Sequence, residues 1–233
     1  MRNPTETRDR LLETAVELVW QSNYCSVGVN EICERAGVTK GAFYHHFDSK
    51  ADLFYAAARH HWELSKGDWD AICSPSLAPL EQLERIIAYT LGHLAGGDRY
   101  PEGVDLEVAG CPFFSAGGQV GLDETKVRQA AQEMAENAIR YLTALVRGLK
   151  TEGYLNGDPD VEQVARMAFS FVQGLMIYAR AYNSSAIVET DLRDGLYRLL
   201  DLKAEYRRTA VPHPKTAPHR KSTAAHKPVT ARA

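Results

Sequence analysis

The chain reads as all-α, and three observations carry that reading. Over most of its length apolar residues recur at three- and four-residue spacing, the signature of one helix face. Clusters of Gly, Pro and Ser separate these stretches, and no segment alternates as a half-buried strand would. Residues 27–50, VGVNEICERAGVTKGAFYHHFDSK, form two short helical segments about a tight turn.

The first expected helix covers residues 4–22. Asn3 can cap it, Pro4 suits the first helical position, and Glu6 completes an N-x-x-E capping pattern. Leu11, Leu12, Ala15, Leu18 and Val19 form its apolar stripe. A connector over 24–28 leads to a segment whose Ile32, Cys33 and Ala36 share one face. Gly37 supplies a residue able to adopt left-handed backbone at a helix end. Val38 can plug the gap between the two segments, and Thr39 can cap the second with its hydroxyl. Phe43 and Phe47, four apart, are the buried side of that second segment. Lys40, Tyr44, His45 and His46 crowd its other side with hydrogen-bonding groups. A helix apolar on one face and armed on the other is what a helix-turn-helix reader needs.

Ser49 and Asp52 restart a helix whose inner face continues through Leu53, Phe54, Ala57, His61 and Leu64. Residues 74–79 form a Ser/Pro joint. Residues 80–94 are helical, with Leu83, Ile86, Ile87, Tyr89, Thr90 and Leu94 inward, and 96–105 are a loop. The stretch VAGCPFFSAGGQV (108–120) is too interrupted by Gly and Pro for one clean helix. Residues 123–151 are a long amphipathic helix through Val127, Ala131, Met134, Ala138, Tyr141, Leu142, Leu145 and Leu149. Asp158 is the expected cap of a helix over 159–182, apolar on more than one face through Phe169, Phe171, Val172, Leu175, Met176 and Ile177. Such a helix is either central to a core or meets a partner. A last helix over 191–206 carries Leu192, Leu196, Leu199, Leu200 and Leu202.

At 233 residues and 45% apolar content the chain can bury a sizeable core of one or two domains. No run of 18 apolar residues points to a membrane span, and MRNPTETRDR is too charged to open a signal peptide. Cys25, Cys33, Cys73 and Cys111 lack CxxC spacing and fit a reduced, cytoplasmic chain without a metal site. The net charge of −3 hides an asymmetry. Residues from 207 onward hold seven of the 27 basic side chains and none of the 30 acidic ones, so the rest carries 20 against 30. That tail (207–233), rich in Pro, Ala, Ser and Thr, has almost nothing to bury and is expected to be disordered, as a flexible polycation or a bare extension. Residues 1–50 are not basic overall, so any hold on phosphate must come from local placement and helix N-termini.

The run GVTKGAFYHHFDSKADLF (37–54) resembles the DNA-binding core of the TetR family of bacterial transcriptional regulators. The resemblance covers roughly the first 60 residues. It implies a helix-turn-helix DNA-binding domain over 1–50 and a helical effector-binding and dimerisation domain over 51–206. It implies a homodimer built on the two last helices, each copy presenting one recognition helix to a palindromic operator on double-stranded DNA. It also implies repression lifted when a small-molecule effector binds, with no cofactor. Onto this chain the resemblance carries Thr39, Lys40, Ala42, Tyr44, His45, His46 and Lys50 as DNA contacts. Tyr44 and His45 match phosphate and base contacts, His46 a residue that packs and touches the backbone, and Lys50 a phosphate-binding lysine. Where many members carry Ser or Thr to meet a phosphate, this chain has Gly28.

For the effector pocket the candidates are Trp62, Trp69, Cys111, Phe113, Phe114, Phe169 and Tyr178. The Gly110-Cys111 pair before the long helix resembles a branch in which some members respond to electrophiles or oxidants through that cysteine; the Leu-x-x-Asn-Leu that usually follows is replaced by Pro-Phe-Phe-Ser-Ala. A helix N-terminus would lower the pKa of the Cys111 thiol, and a greasy pocket would raise it. An enzyme or helical ligand carrier is the remaining reading. Against it, Cys111 and His93 lack a third partner, His60 and His61 cannot face one metal from a helix, and SAGGQVG follows no strand.

Overall fold

The computed structural model describes residues 4–94 and 111–207. Asn3, the loop over 96–105, residues 108–110 and the tail beyond Arg207 lie outside them. Among the described residues there are nine α-helices: α1 (Pro4–Gln21), α2 (Val29–Ala36), α3 (Lys40–His46), α4 (Lys50–Ile72), α5 (Pro79–Leu94), α6 (Pro112–Gln119), α7 (Thr125–Thr151), α8 (Val161–Tyr182) and α9 (Ala186–Leu199). The fold is all-α, as expected. The one β-like pairing among the described residues is an isolated antiparallel bridge between Leu155 and Leu202.

The stripe of α1 is buried at all five expected positions. Gly37 closes α2 with left-handed backbone at φ 61°. Its amide donates to the Glu34 carbonyl and that of Val38 to Cys33, satisfying carbonyls the helix end would otherwise orphan. The Thr39 hydroxyl accepts from the Ala42 amide at 3.1 Å, which fixes where α3 begins. At the head of α4 the Ser49 hydroxyl accepts from the Asp52 amide and donates to the Asp52 carboxylate. One core therefore holds α1, α2, α3 and the first half of α4, and Phe113, Ala116, Val127 and Ala130 from α6 and α7 enter it as well. A second core joins α5, the later half of α7, α8 and α9.

Five expectations change. Leu64 is 69% exposed and Trp62 is buried in its place. The reason is that α4 packs on α1 and on α7, so its buried face drifts round the helix along its 23 residues. The Gly-rich stretch after Cys111 does form a helix, α6. Gly117 makes it possible, since a Cβ there would lie 2.4 Å from that of Ala131, and its absence lets α6 close on α7. The cap of α8 is Asp160, whose carboxylate accepts from the Glu162 and Gln163 amides at 3.0 Å each. Asp158 is instead paired with Lys150 at 2.5 Å. α9 starts five residues earlier than the leucine spacing suggests, because Asn183 ends α8 in left-handed backbone at φ 45° and the chain turns at once. It also stops earlier: Asp201 takes φ 50°, and its carbonyl accepts from the Asn156 amide, drawing Leu202 into the core. Finally, Tyr89 and Thr90 of α5 are half-buried, while Leu83, Ile86 and Ile87 carry its inner face.

Candidate nucleic-acid interface

The two faces of α3 divide cleanly. Phe43 is fully buried, and Phe47 just beyond the helix is 7% exposed. Opposite them, Thr39, Lys40, Gly41, Tyr44 and His45 face solvent. Tyr44 is 56% exposed, a large aromatic that the fold leaves uncovered. The Phe43 ring meets it edge-on at 5.1 Å, so the buried side of α3 braces the exposed one. Ala42 and His46 are half-buried at the margins, with His46 lying 5.0 Å from the His45 ring and 6.5 Å from Phe47. The structure therefore places Thr39, Lys40, Tyr44 and His45 on one exposed surface and sets His46 partly into the core.

Lys50 has a different situation. Its ammonium donates to the carbonyl oxygens of Tyr24 at 2.9 Å and Val27 at 3.0 Å, and sits 4.1 Å above the Tyr24 ring. It clasps the α1–α2 connector to the head of α4. Sequence spacing could not show this, because the carbonyls lie 23 and 26 residues upstream. Burial, reinforced by the Glu124 carboxylate that accepts its hydroxyl, pushes the Tyr24 phenol far above its usual range. Replacing Lys50 with Met should keep the stem but strand two partly buried carbonyls, costing about 2 kcal/mol of stability in urea unfolding. A variant that keeps wild-type stability and loses one unit of salt slope in DNA binding would mark Lys50 as a phosphate contact alone.

Gly28, at the N-cap of α2, has ordinary extended backbone, and a Cβ there would meet nothing within 4 Å. The position would admit the Ser or Thr it lacks.

The seven pocket candidates do not converge on one space. Trp62 and Trp69 meet Tyr141 of α7 at 6.0 and 5.5 Å, and Trp69 meets Tyr89 at 5.7 Å. Tyr141 and Tyr89 were not singled out from sequence, being ordinary members of helical stripes. At the edge of this cluster the Tyr141 hydroxyl donates to Asp70 at 2.5 Å, and burial together with that carboxylate pushes its pKa up to about 12. Phe113 lies in the first core against Phe54 and His61, while Phe114 turns the other way onto Phe169 at 5.1 Å. Tyr178 lines no interior: it is 47% exposed on the outer side of α8, stacked on Tyr182 at 4.6 Å. Cys111 precedes Pro112 at the start of α6, and burial raises its thiol pKa against the backbone amides of Phe114 and Phe113, which lower it.

α8 also has an outer face. Ala165, Ala168, Phe169 and Ala179 are buried, whereas Met167, Ser170, Gly174, Ile177, Tyr178, Ala181 and Tyr182 are exposed. These seven recur at three- and four-residue spacing, an uncovered seam along one side of the helix.

Comparison with known proteins matches both parts of the chain. Residues 11–57 fit the family model described as bacterial regulatory proteins, tetR family, and residues 80–194 the model described as Tetracyclin repressor-like, C-terminal domain. The chain is 43% identical over 202 residues to the HTH-type transcriptional regulator AcrR of Shigella flexneri, covering 84% of this chain and 89% of that one. Among solved structures, a TetR-family transcriptional regulator from Agrobacterium tumefaciens superposes with a TM-score of 0.72 at 22% identity, over 84% of this chain and 98% of that one. The reduced form of NemR from E. coli superposes with a TM-score of 0.65 at 23% identity, over 83% and 94%.

Proposed function

The chain belongs to the TetR family of bacterial transcriptional regulators, and from that premise we propose that it is a homodimeric repressor, released from a palindromic operator by a small-molecule effector. It is a DNA-binding regulator and not an enzyme. The observation that carries the operator reading is α3: an exposed Lys40, Tyr44 and His45 over a buried Phe43 and Phe47. In this reading Thr39 and Tyr44 hold phosphates, Lys40 reaches a phosphate or guanine edge, Ala42 admits the helix to the groove, and His45 reads a base. Residues 1–50 form the reading head, 51–206 the effector-binding and dimerisation part, and 207–233 a basic extension.

The test is selection of bound duplexes from a random pool, followed by binding of variants to the enriched site. Tyr44→Phe should weaken all sequences alike by about tenfold, the scale of one phosphate hydrogen bond. His45→Ala should relax preference at one base position, losing about 1–3 kcal/mol of discrimination there. Unchanged preferences would remove His45 from the reading surface. For the tail, truncation at 207 should weaken binding mainly at low salt and flatten its salt dependence; an unchanged slope would show that the polycation takes no part.

The outer seam of α8 supports the dimer, since a second copy would cover it by a two-fold axis. In this reading the effector sits where Trp62, Trp69, Tyr89 and Tyr141 join α4, α5 and α7. A molecule wedged there would move α4, whose head carries α3, and so change the spacing of the two reading heads. A covalent switch at Cys111 is the weaker reading, because burial raises its thiol pKa and so disfavours the reactive thiolate. Maleimide treatment of wild type and Cys111→Ser would revive it if operator release followed in the wild type only. Among the described residues no helix is long and apolar enough to cross a membrane, which fits the cytoplasmic placement this function requires.

A further inference from the structure

The end of α1 is held from a direction that the helix-turn-helix itself does not supply. The Arg180 guanidinium, in the last turn of α8, donates to the Ser22 carbonyl just past α1 at 2.6 Å, across 158 residues of sequence. That carbonyl sits at the negative end of the α1 dipole, where a cation is favoured, and the bond is partly buried and charge-assisted. The Ser22 amide still bonds within α1, to Leu18 at 3.0 Å, so the arginine grips the helix end without unwinding it. One residue upstream of Gln21, Trp20 meets His61 of α4 at 5.8 Å, and His61 in turn meets Phe113 of α6 at 5.4 Å. The end of α1 is thus held both by α4, through Trp20 and His61, and by α8, through Arg180.

What distinguishes the α8 side is its neighbour. Ile177, Tyr178, Ala181 and Tyr182, all within one turn of Arg180, belong to the exposed seam that the proposed dimer would cover. A single helical turn therefore faces the second copy on one side and holds the reading head on the other. α1 packs directly on α2 and α3, so whatever fixes the end of α1 fixes the tilt of α3. We propose that Arg180 is a positioning residue for operator recognition: it locks each reading head to the dimer axis and so sets the half-site spacing that the dimer accepts.

This inference rests on the operator-binding reading above, and its test separates the two. Wild type, Arg180→Ala and Arg180→Lys, all full length, are each used to select duplexes from the same random pool, with dimer mass and thermal midpoint measured alongside. Wild type should enrich one half-site sequence at one centre-to-centre spacing. Arg180→Ala should enrich the same half-site over two or more neighbouring spacings, with affinity for the wild-type duplex down about tenfold, the scale of one charged hydrogen bond. Its dimer mass should stay unchanged, and its thermal midpoint should fall by no more than the few degrees that one charged hydrogen bond carries, with unfolding still cooperative. Arg180→Lys, which restores a donor and the charge, should return the single spacing. The proposal is overturned if Arg180→Ala keeps the single spacing. It is equally overturned if the half-site preference is lost together with thermal stability, since Arg180 would then only support the fold. If wild type enriches no sequence, the operator reading itself fails and takes this one with it.

Discussion

Replacing Gly174 with Arg is expected to leave each protomer folded and to abolish tight operator binding. Gly174 lies midway along α8, exposed, and a Cβ added there meets nothing within 4 Å of its own chain. Arginine is also a better helix former than glycine in a helix interior, by about 1 kcal/mol. Nothing within the protomer therefore opposes the change. In the proposed dimer the same position sits in the seam with Ser170 and Ile177, where a glycine lets two helices approach closely and a guanidinium would be desolvated without a partner. Two linked reading heads gain about 10²–10⁴ in affinity over one, and a monomer forfeits that gain. Light scattering should give half the mass of wild type, thermal unfolding a protomer still cooperative, and operator titration a loss of at least about a hundredfold. A Gly174→Arg protein that remained dimeric would place the interface elsewhere.

The second large effect concerns Phe43. Its ring is fully buried under α3, 6.1 Å from Phe47 and 5.1 Å from Tyr44, and belongs to the core shared by α1, α2 and α4. Phe43→Ala removes a whole buried ring from three short helices with little else to close the gap, so about 3–5 kcal/mol should be lost. Because the second core does not contain Phe43, the loss should appear first as local opening of the reading head. Hydrogen exchange should show amides of α2 and α3 losing protection while those of the later half of α7, α8 and α9 keep theirs. DNA binding should fall with it, while dimer mass stays constant. Uniform loss of protection throughout would mean that the two cores unfold as one.

The sequence was most legible where local chemistry decides structure. Gly37, Thr39 and Ser49 fixed helix ends through bonds spanning three to five residues, and the stripes of α1 and α7 follow from spacing alone. Misplacements came where distant partners decide. Asp158 and Asp160 are both plausible caps, and only the position of Lys150 separates them. Gly117 looks like a helix breaker until Ala131 stands opposite it. Leucine spacing suggested that the last helix runs to 206, but Leu202 belongs to a bridge with Leu155 instead. In the site, the exposed face of α3 was visible as a polar cluster beside two phenylalanines. The carbonyl clasp of Lys50 and the reach of Arg180 were not, since each ends on backbone atoms that carry no residue identity.

The first core has one consequence for anyone wishing to exchange reading heads between relatives. Phe113, Ala116, Val127 and Ala130 fill that core from outside the contiguous segment 1–57, and Asp52 and Tyr55 are tied to Lys126 and Glu133 of α7. A head transplanted by cutting the chain within α4 would arrive with an unfilled apolar floor and with Asp52 and Tyr55 cut off from their partners on α7. A chimera that keeps its parent's DNA preference must therefore carry these six facing residues with it. Portability is set by a three-dimensional seam through α6 and α7, and a boundary drawn along the sequence misses it.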